Sequence, residues 1–112
     1  MIEPSFEDWL REERARLVEL AVEALGKLLR HHVRASAVEP AIQVGLKLLG
    51  LDPTQESVYR TLMWLYEQQD RRGAALRLYE TCLGVLEREL GDEPEPETRD
   101  LWWRARFSPS GA

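Results

Sequence analysis

Two adjacent histidines, His31 and His32, and a single cysteine, Cys82, are the side chains of this 112-residue sequence best suited to metal binding or nucleophilic chemistry. Neighbouring residues on a helix point about 100° apart, so both histidines cannot face one metal ion from a single helix. A helical metal site needs ligands three or four residues apart. The pair therefore predicts a polar helix end, and we expect no metal site.

Cys82 lies among apolar residues at helical spacing, which is typical of a buried structural thiol. No serine or cysteine nucleophile is grouped with a histidine, and no glycine-rich phosphate loop is present. The sequence therefore predicts no catalytic residue, no cofactor and no enzymatic activity. Because a lone cysteine cannot form an internal disulfide, we expect a reducing compartment, and the predicted location is the cytoplasm.

Charged residues make up 31% of the sequence and give it a formal net charge of −5. The carboxylates are typical of solvated helix faces, although an acidic surface can also attract a basic partner. A reader of duplex DNA usually presents a basic face, because phosphate contacts supply most of its affinity. No apolar run approaches the roughly 20 residues that span a bilayer. The sequence thus predicts contact with neither nucleic acid nor a membrane.

Aromatic residues give the clearest signal for a partner surface. Trp9 and Trp64 stand in strongly apolar segments, so we expect both to pack in the core. Trp102 and Trp103 are adjacent and face different directions on a helix. One of them can close the end of a bundle while the other is exposed, and Trp103, which groups with Phe107, is a candidate for docking a neighbouring domain or a second subunit. The alternative is that intrachain packing covers both tryptophans.

Five helical segments must position these side chains, because apolar residues recur at helical spacing along most of the sequence. The alternation of apolar and polar residues that indicates a strand is absent over any useful length. Caps, first-turn prolines and glycine stops predict the ends of the helices. They run from Ser5 to His32, from Ser36 or Glu39 to a left-handed Gly50, from Asp52 to a polar turn at 68–72, from Ala74 to a stop at Gly91, and from Glu97 to Phe107.

An internal repeat appears when the sequence is compared with itself at an offset of 34 residues, which aligns Ala41 with Ala75. This is the period of tetratricopeptide helix pairs, whose helices approach closely where one side chain is short. We predict an all-α domain over residues 1–107, with two antiparallel helix pairs and a fifth helix in a right-handed superhelix, and a disordered tail at 108–112. Its concave surface can hold a partner helix. The residues expected to line that surface are Tyr59, Met63, Tyr66 and Arg77.

Several segments together resemble one known family, the bacterial transcriptional activator domain. The more specific ones are Leu49 to Pro53 and the stretch from Leu86 to Pro96, which continues into Glu97-Thr98-Arg99, and the likeness covers residues 6–106. Members of this family follow a winged-helix DNA-binding domain in antibiotic-pathway regulators. The resemblance implies a non-catalytic module that mediates oligomerisation or contacts other domains and the transcription machinery.

One alternative to a role in transcription stays open. In some relatives the domain lies beside nucleotide-cyclase or ATPase modules, so the resemblance also fits a scaffold of a multidomain signalling protein. Under either interpretation we expect protein partners, no DNA binding by this chain at physiological salt, and a homodimer or weaker self-association through the last helix.

Overall fold

A computed structural model describes residues 4–107 of the chain. No strand occurs within this range, so the predicted all-α class with about five helices is confirmed. A π-helical turn at Leu86–Leu90 continues the fourth helix. The predicted tail at 108–112 lies outside the described residues. The helices are α1 (Pro4–Arg34), α2 (Val38–Leu51), α3 (Glu56–Gln68), α4 (Arg72–Val85) and α5 (Pro96–Phe107).

The helices pack as two hairpins closed by a fifth helix. Helix α1 packs on α2 and α3 packs on α4, and the two pairs meet where α2 contacts α3. Short connections at 35–37 and 69–71 make each pair antiparallel. Helix α5 packs against both α3 and α4. This order is consistent with stacked tetratricopeptide pairs, while the right-handed superhelix stays a prediction.

Small side chains lie where the helices approach most closely. Ala41 and Ala75, which the 34-residue offset aligns, both have 0% solvent exposure, as the repeat predicted. Gly45 of α2 lies against α3, because a Cβ atom there would stand 2.6 Å from Cδ2 of the fully buried Leu62. The close contact between the two hairpins therefore depends on a residue without a side chain.

Two non-glycine residues in the left-handed conformation, Ser36 and Asp70, end helices α1 and α3. The position of Ser36 corrects the prediction that this residue caps the start of the second helix. Ser36 has a φ of 56°, its N–H donates to Val33 O, and the N–H of Ala37 donates to His32 O. These two bonds form the Schellman motif that ends α1, so Ser36 stops one helix and does not cap the next. Gly50, the predicted left-handed stop, is helical because α2 continues to Leu51.

The turn before α3 also differs from the prediction, which began that helix at Asp52. The Asp52 carboxylate accepts hydrogen bonds from Thr54 N at 3.1 Å, from Thr54 Oγ1 at 2.6 Å and from Gln55 Nε2 at 2.8 Å. The side chain thereby builds a separate turn, and α3 begins at Glu56. The hydroxyl bond from Thr54 is the main reason why the pKa of Asp52 is lowered, and the Gln55 bond adds to it.

Helix α1 is much longer than its partner. Its 31 residues extend about 46 Å, whereas the 14 residues of α2 extend about 21 Å. The first α1 side chain that packs against the core is Val22. The preceding part of α1 therefore projects beyond the hairpins, and the described chain measures 68 × 33 × 18 Å along its principal axes.

Candidate partner-binding site

A groove runs along the side of the molecule formed by α1, α3 and α5. The cleft between α1 and α3 has a volume of about 510 Å³, and the cleft between α3 and α5 has about 400 Å³. Val33 and Thr61 line both clefts, so the two form one continuous depression. We call this depression the groove. Its floor in the first cleft is apolar and consists of Val22, Leu29, Val33, Leu48 and Val58.

Trp64 lies in the α3–α5 part of the groove. It lines the α3–α5 cleft and also an adjoining recess of about 240 Å³ that reaches Val38. The side chain is 45% exposed, so its predicted place in the core is wrong. The reason is that its face of α3 lies between α1 and α5, and no helix of the described chain covers it. An exposed tryptophan in a recess is a typical anchor for a partner.

Arginines edge the groove although the whole chain is acidic. Arg34 of α1 and Arg104 of α5 are exposed, one at each cleft. Neither forms an ion pair within residues 4–107. Two acids of the edge are already paired, Glu23 with Lys27 at 3.4 Å and Glu97 with Arg60 at 3.9 Å. Asp100 also lines the α3–α5 cleft and forms no ion pair within residues 4–107, so the basic and acidic side chains of that cleft balance. The net positive charge of the groove therefore comes from the α1–α3 cleft, where Arg30 and Arg34 outnumber Glu23.

A polar cluster holds α5 in place as one wall of the groove. Thr98 has 0% exposure, and its hydroxyl donates to Glu56 Oε2 at 2.6 Å. The same carboxylate oxygen accepts the N–H of Glu95 at 2.7 Å, just before α5 begins. Arg60 donates to Thr98 Oγ1 at 3.1 Å and lies 3.7 Å from Glu56. A carboxylate of α3 thus caps the N-terminus of α5.

None of the four predicted lining residues reaches the groove. Tyr59, Met63 and Tyr66 are buried in the core, and the Tyr59 hydroxyl donates to Pro53 O at 2.9 Å. The core takes the most apolar face of α3, which leaves the face with Ser57, Thr61 and Trp64 for the groove. Arg77 is exposed on α4, beside the turn at 70–74 and outside the groove.

The two adjacent tryptophans of α5 differ in exposure, so intrachain packing does not cover both. Trp102 is half-buried and its ring stacks on Tyr79 at a centroid distance of 5.6 Å, which closes the end of the bundle. Trp103 and Phe107 are both exposed, with ring centroids 4.3 Å apart. Their role in partner binding stays a prediction. Trp9 is exposed, so its predicted burial is wrong, because α2 ends before it could reach that part of α1.

The residues with chemical potential are not assembled into a reactive centre within residues 4–107. His31 and His32 lie side by side with ring centroids 5.5 Å apart, and no group of three metal-ligating side chains occurs in the described range. Cys82 is fully buried as predicted, and burial raises the pKa of its thiol to about 11, with a further contribution from Glu56. The thiol is therefore neutral near pH 7.

Comparison with known proteins gives one family. The family described as the bacterial transcriptional activator domain matches residues 2–104. Neither the curated proteins nor the solved structures contain a match. No helix within residues 4–107 is long and apolar enough to cross a membrane. Since the match covers nearly the whole sequence, this chain belongs to the bacterial transcriptional activator domain family, a family of regulatory helical domains.

Proposed function

We propose that the chain is a non-catalytic protein-interaction module of a bacterial transcriptional regulator, and that its groove binds an acidic amphipathic helix of a partner protein. The observation that carries the proposal is the apolar floor edged by unpaired arginines on an acidic domain. The family supports the regulatory context. The proposal includes the cytoplasmic location expected from the lone cysteine.

The shape and chemistry of the groove favour a helix over an extended strand. The described chain contains no sheet edge to which a strand could add, whereas a helix binds by laying its apolar face in a hydrophobic groove. Val33 and Val58 offer the apolar floor, and Trp64 offers a large ring that loses little conformational entropy on binding.

The charge at the groove edge selects for carboxylates on the partner. Arg34 and Arg104 can each bind a carboxylate with two parallel hydrogen bonds, which adds direction to the charge attraction. A basic helix would meet these arginines as well as the negative field of the other surfaces, so its orientation would be poorly defined. The arrangement thus favours a carboxylate over an ammonium group beside each of these two arginines.

A test needs a probe peptide, since the partner is unidentified. We would use a 16-residue helical peptide with leucines on one face and glutamates beside them, and a control peptide with lysines in place of the glutamates. Titration against ¹⁵N-labelled protein should shift the amide signals of Trp64, Thr61 and Val33. The lysine peptide should produce no shifts in that region.

Matched variants locate the charge effect. Arg34→Glu with Arg104→Glu should weaken binding of the glutamate peptide by tenfold or more, because two charge-assisted contacts become repulsive. Lys47→Glu with Arg77→Glu, which make the same charge change outside the groove, should have less than a twofold effect. Equal losses in both double variants, or signal shifts centred on α4, would contradict the proposal.

A further inference from the structure

A second apolar surface lies on α1, outside the groove. Phe6, Trp9, Leu17, Leu20 and Leu28 are 41–60% exposed, and together they present on the order of 500 Å² of apolar surface. That is close to the largest apolar patch that monomeric soluble proteins usually carry. We call these five residues the α1 stripe. It runs from the projecting end of α1 into the half that packs on α2.

The stripe faces away from the rest of the molecule. At about 100° per residue, its centre lies roughly 140° around α1 from the face through Leu25, Leu29 and Val33 that packs on the core. The core and the groove both use that inner face. The described chain therefore leaves the stripe uncovered along its whole length, and a partner helix can approach it without displacing any helix.

Three of the five stripe residues, Phe6, Leu17 and Leu20, have the spacing of one helix packing along another, and Trp9 and Leu28 flank that seam. Starting at Phe6, steps of four and three residues alternate through Leu10, Glu13, Leu17, Leu20 and Ala24. This 3.5-residue period keeps one seam facing a neighbouring helix in a left-handed coiled coil. Glu13 is the polar exception, and its carboxylate is paired with Arg16 at 2.7 Å beside the seam.

The charges along α1 indicate which helix fits. Residues 4–20 contain five acidic and three basic side chains, whereas residues 21–34 contain one acidic side chain, Glu23, and three basic ones. A second α1 in antiparallel orientation places the acidic part of each helix beside the basic part of the other. A parallel copy would place acidic beside acidic and basic beside basic.

The antiparallel register can be specified from the positions. Centring the pair between Val18 and Glu19 places Leu17 against Leu20 of the second copy and Trp9 against Leu28 of the second copy. In the same register Arg16 lies beside Glu23 of the second copy, and Glu12 lies beside Lys27 of the second copy. Each pairing occurs twice by symmetry, as a twofold interface requires. One register thus brings together the apolar pairs Leu17–Leu20 and Trp9–Leu28 and the opposite charges, while Leu10 lies against Lys27 of the second copy.

We infer that the α1 stripe binds the α1 stripe of a second copy of this chain in antiparallel orientation. The stripe with its flanking side-chain stems approaches the roughly 800 Å² per partner of a standard interface. The exposed pair Trp103 and Phe107 on α5 is a smaller apolar surface than the α1 stripe. The apolar residues of the α1 stripe and of the groove lie on different faces of α1, and Glu23 is shared by the edges of both surfaces.

Sedimentation equilibrium of the 112-residue chain from about 10 µM to 1 mM tests the association. We expect the mass to approach that of two chains as the concentration rises. Arg16→Glu should weaken the affinity of the dimer about tenfold, since two attractive contacts become repulsive. Adding Glu23→Arg to that variant should restore the dimer by exchanging the charges. Lys47→Glu, an equal charge change on exposed α2, should leave the dimer unchanged.

Cross-linking tests the orientation. Leu10→Cys and Lys27→Cys are neighbours across the antiparallel seam, so a mixture of the two variants should form a disulfide-linked heterodimer. Neither variant alone should cross-link, and the buried Cys82 does not compete because its thiol is inaccessible and neutral. Circular dichroism confirms that each variant is folded, since all substituted side chains lie outside the core.

Four results would overturn the inference. A mass of one chain at 1 mM means that the stripe does not bind a second copy. Efficient cross-linking of each cysteine variant with itself means a parallel pair, and failure of the charge exchange to restore the dimer refutes the register. Loss of the dimer in Trp103→Ser, with Leu17→Ser still dimeric, transfers self-association to α5.

Discussion

Replacing Thr98 with valine tests whether a single buried hydroxyl holds α5 against α3. Valine has nearly the shape of threonine but lacks the oxygen that donates to Glu56 and accepts from Arg60. A hydrogen bond to a charged group contributes about 1.5–3 kcal/mol, and the Glu56 carboxylate would keep its bond from Glu95 N. We therefore expect Thr98→Val to lower the free energy of unfolding by about 2 kcal/mol.

The control is Thr98→Ser, which keeps the hydroxyl and removes a buried methyl group. Its expected cost is about 1 kcal/mol, near that of burying one methylene. Urea unfolding followed by circular dichroism gives both values, provided that the transitions are two-state. The order is informative, because packing alone would make serine the more damaging substitution, whereas the hydrogen bond makes valine the more damaging one.

Hydrogen exchange locates the effect. The N–H groups of α5 should exchange faster in Thr98→Val, while those of α2 should change little, because α5 contacts only α3 and α4. A valine variant within about 0.5 kcal/mol of the parent, or one more stable than the serine variant, would refute the role of the Thr98 hydroxyl in holding α5. So would a uniform increase in exchange across all helices.

Four further predictions concern other elements. Gly45→Ala should cost about 1–3 kcal/mol in thermal unfolding, because its Cβ would stand 2.6 Å from Leu62. Ser36→Gly should add about 1 kcal/mol in urea unfolding by relieving a φ of 56°. Folding lowers the pKa of Asp52, so the carboxylate's contribution to the free energy of unfolding is complete above the unfolded value near 3.8 and is lost as pH falls through the lower folded value. Asp52→Asn should therefore lower the free energy of unfolding at pH 7 but change it little below the folded pKa. A gel shift at about 150 mM salt should detect no binding to duplex DNA at micromolar protein.

Helical periodicity and short side chains determined most of the architecture in advance. The burial of Ala41 and Ala75 follows from the repeat, and the division between Trp102 and Trp103 follows from the angle between neighbours on a helix. These features are local or periodic, so they can be read without knowing which elements meet. The stop at Gly91 was also correct, since its φ is 60°.

The errors arose where contacts between distant segments decide the outcome. Local apolar content led to the prediction that Trp64 lies in the core and Tyr66 lines the groove. The packing of α5 on α3 instead leaves Trp64 in the groove and Tyr66 in the core. The cap of α5 is equally non-local, because the Glu56 carboxylate lies about 40 residues away in sequence from the N–H that it accepts. The residues of the groove follow from that arrangement and from no local motif.

Because α1 is much longer than α2, the helical conformation of its N-terminal part depends on whether a second copy binds the α1 stripe. Residues 4–21 precede the first α1 side chain that packs on the core, so they lack the tertiary packing that supplies most of the stability of helices in proteins. The helical conformation of these residues continues from the part of α1 that packs on the core, so loss of helix should increase progressively toward the N-terminus. Covering the stripe would suppress this fraying, and the resulting conformational entropy loss opposes binding. The concentration of the second copy would therefore control how much of the N-terminal part of α1 is helical.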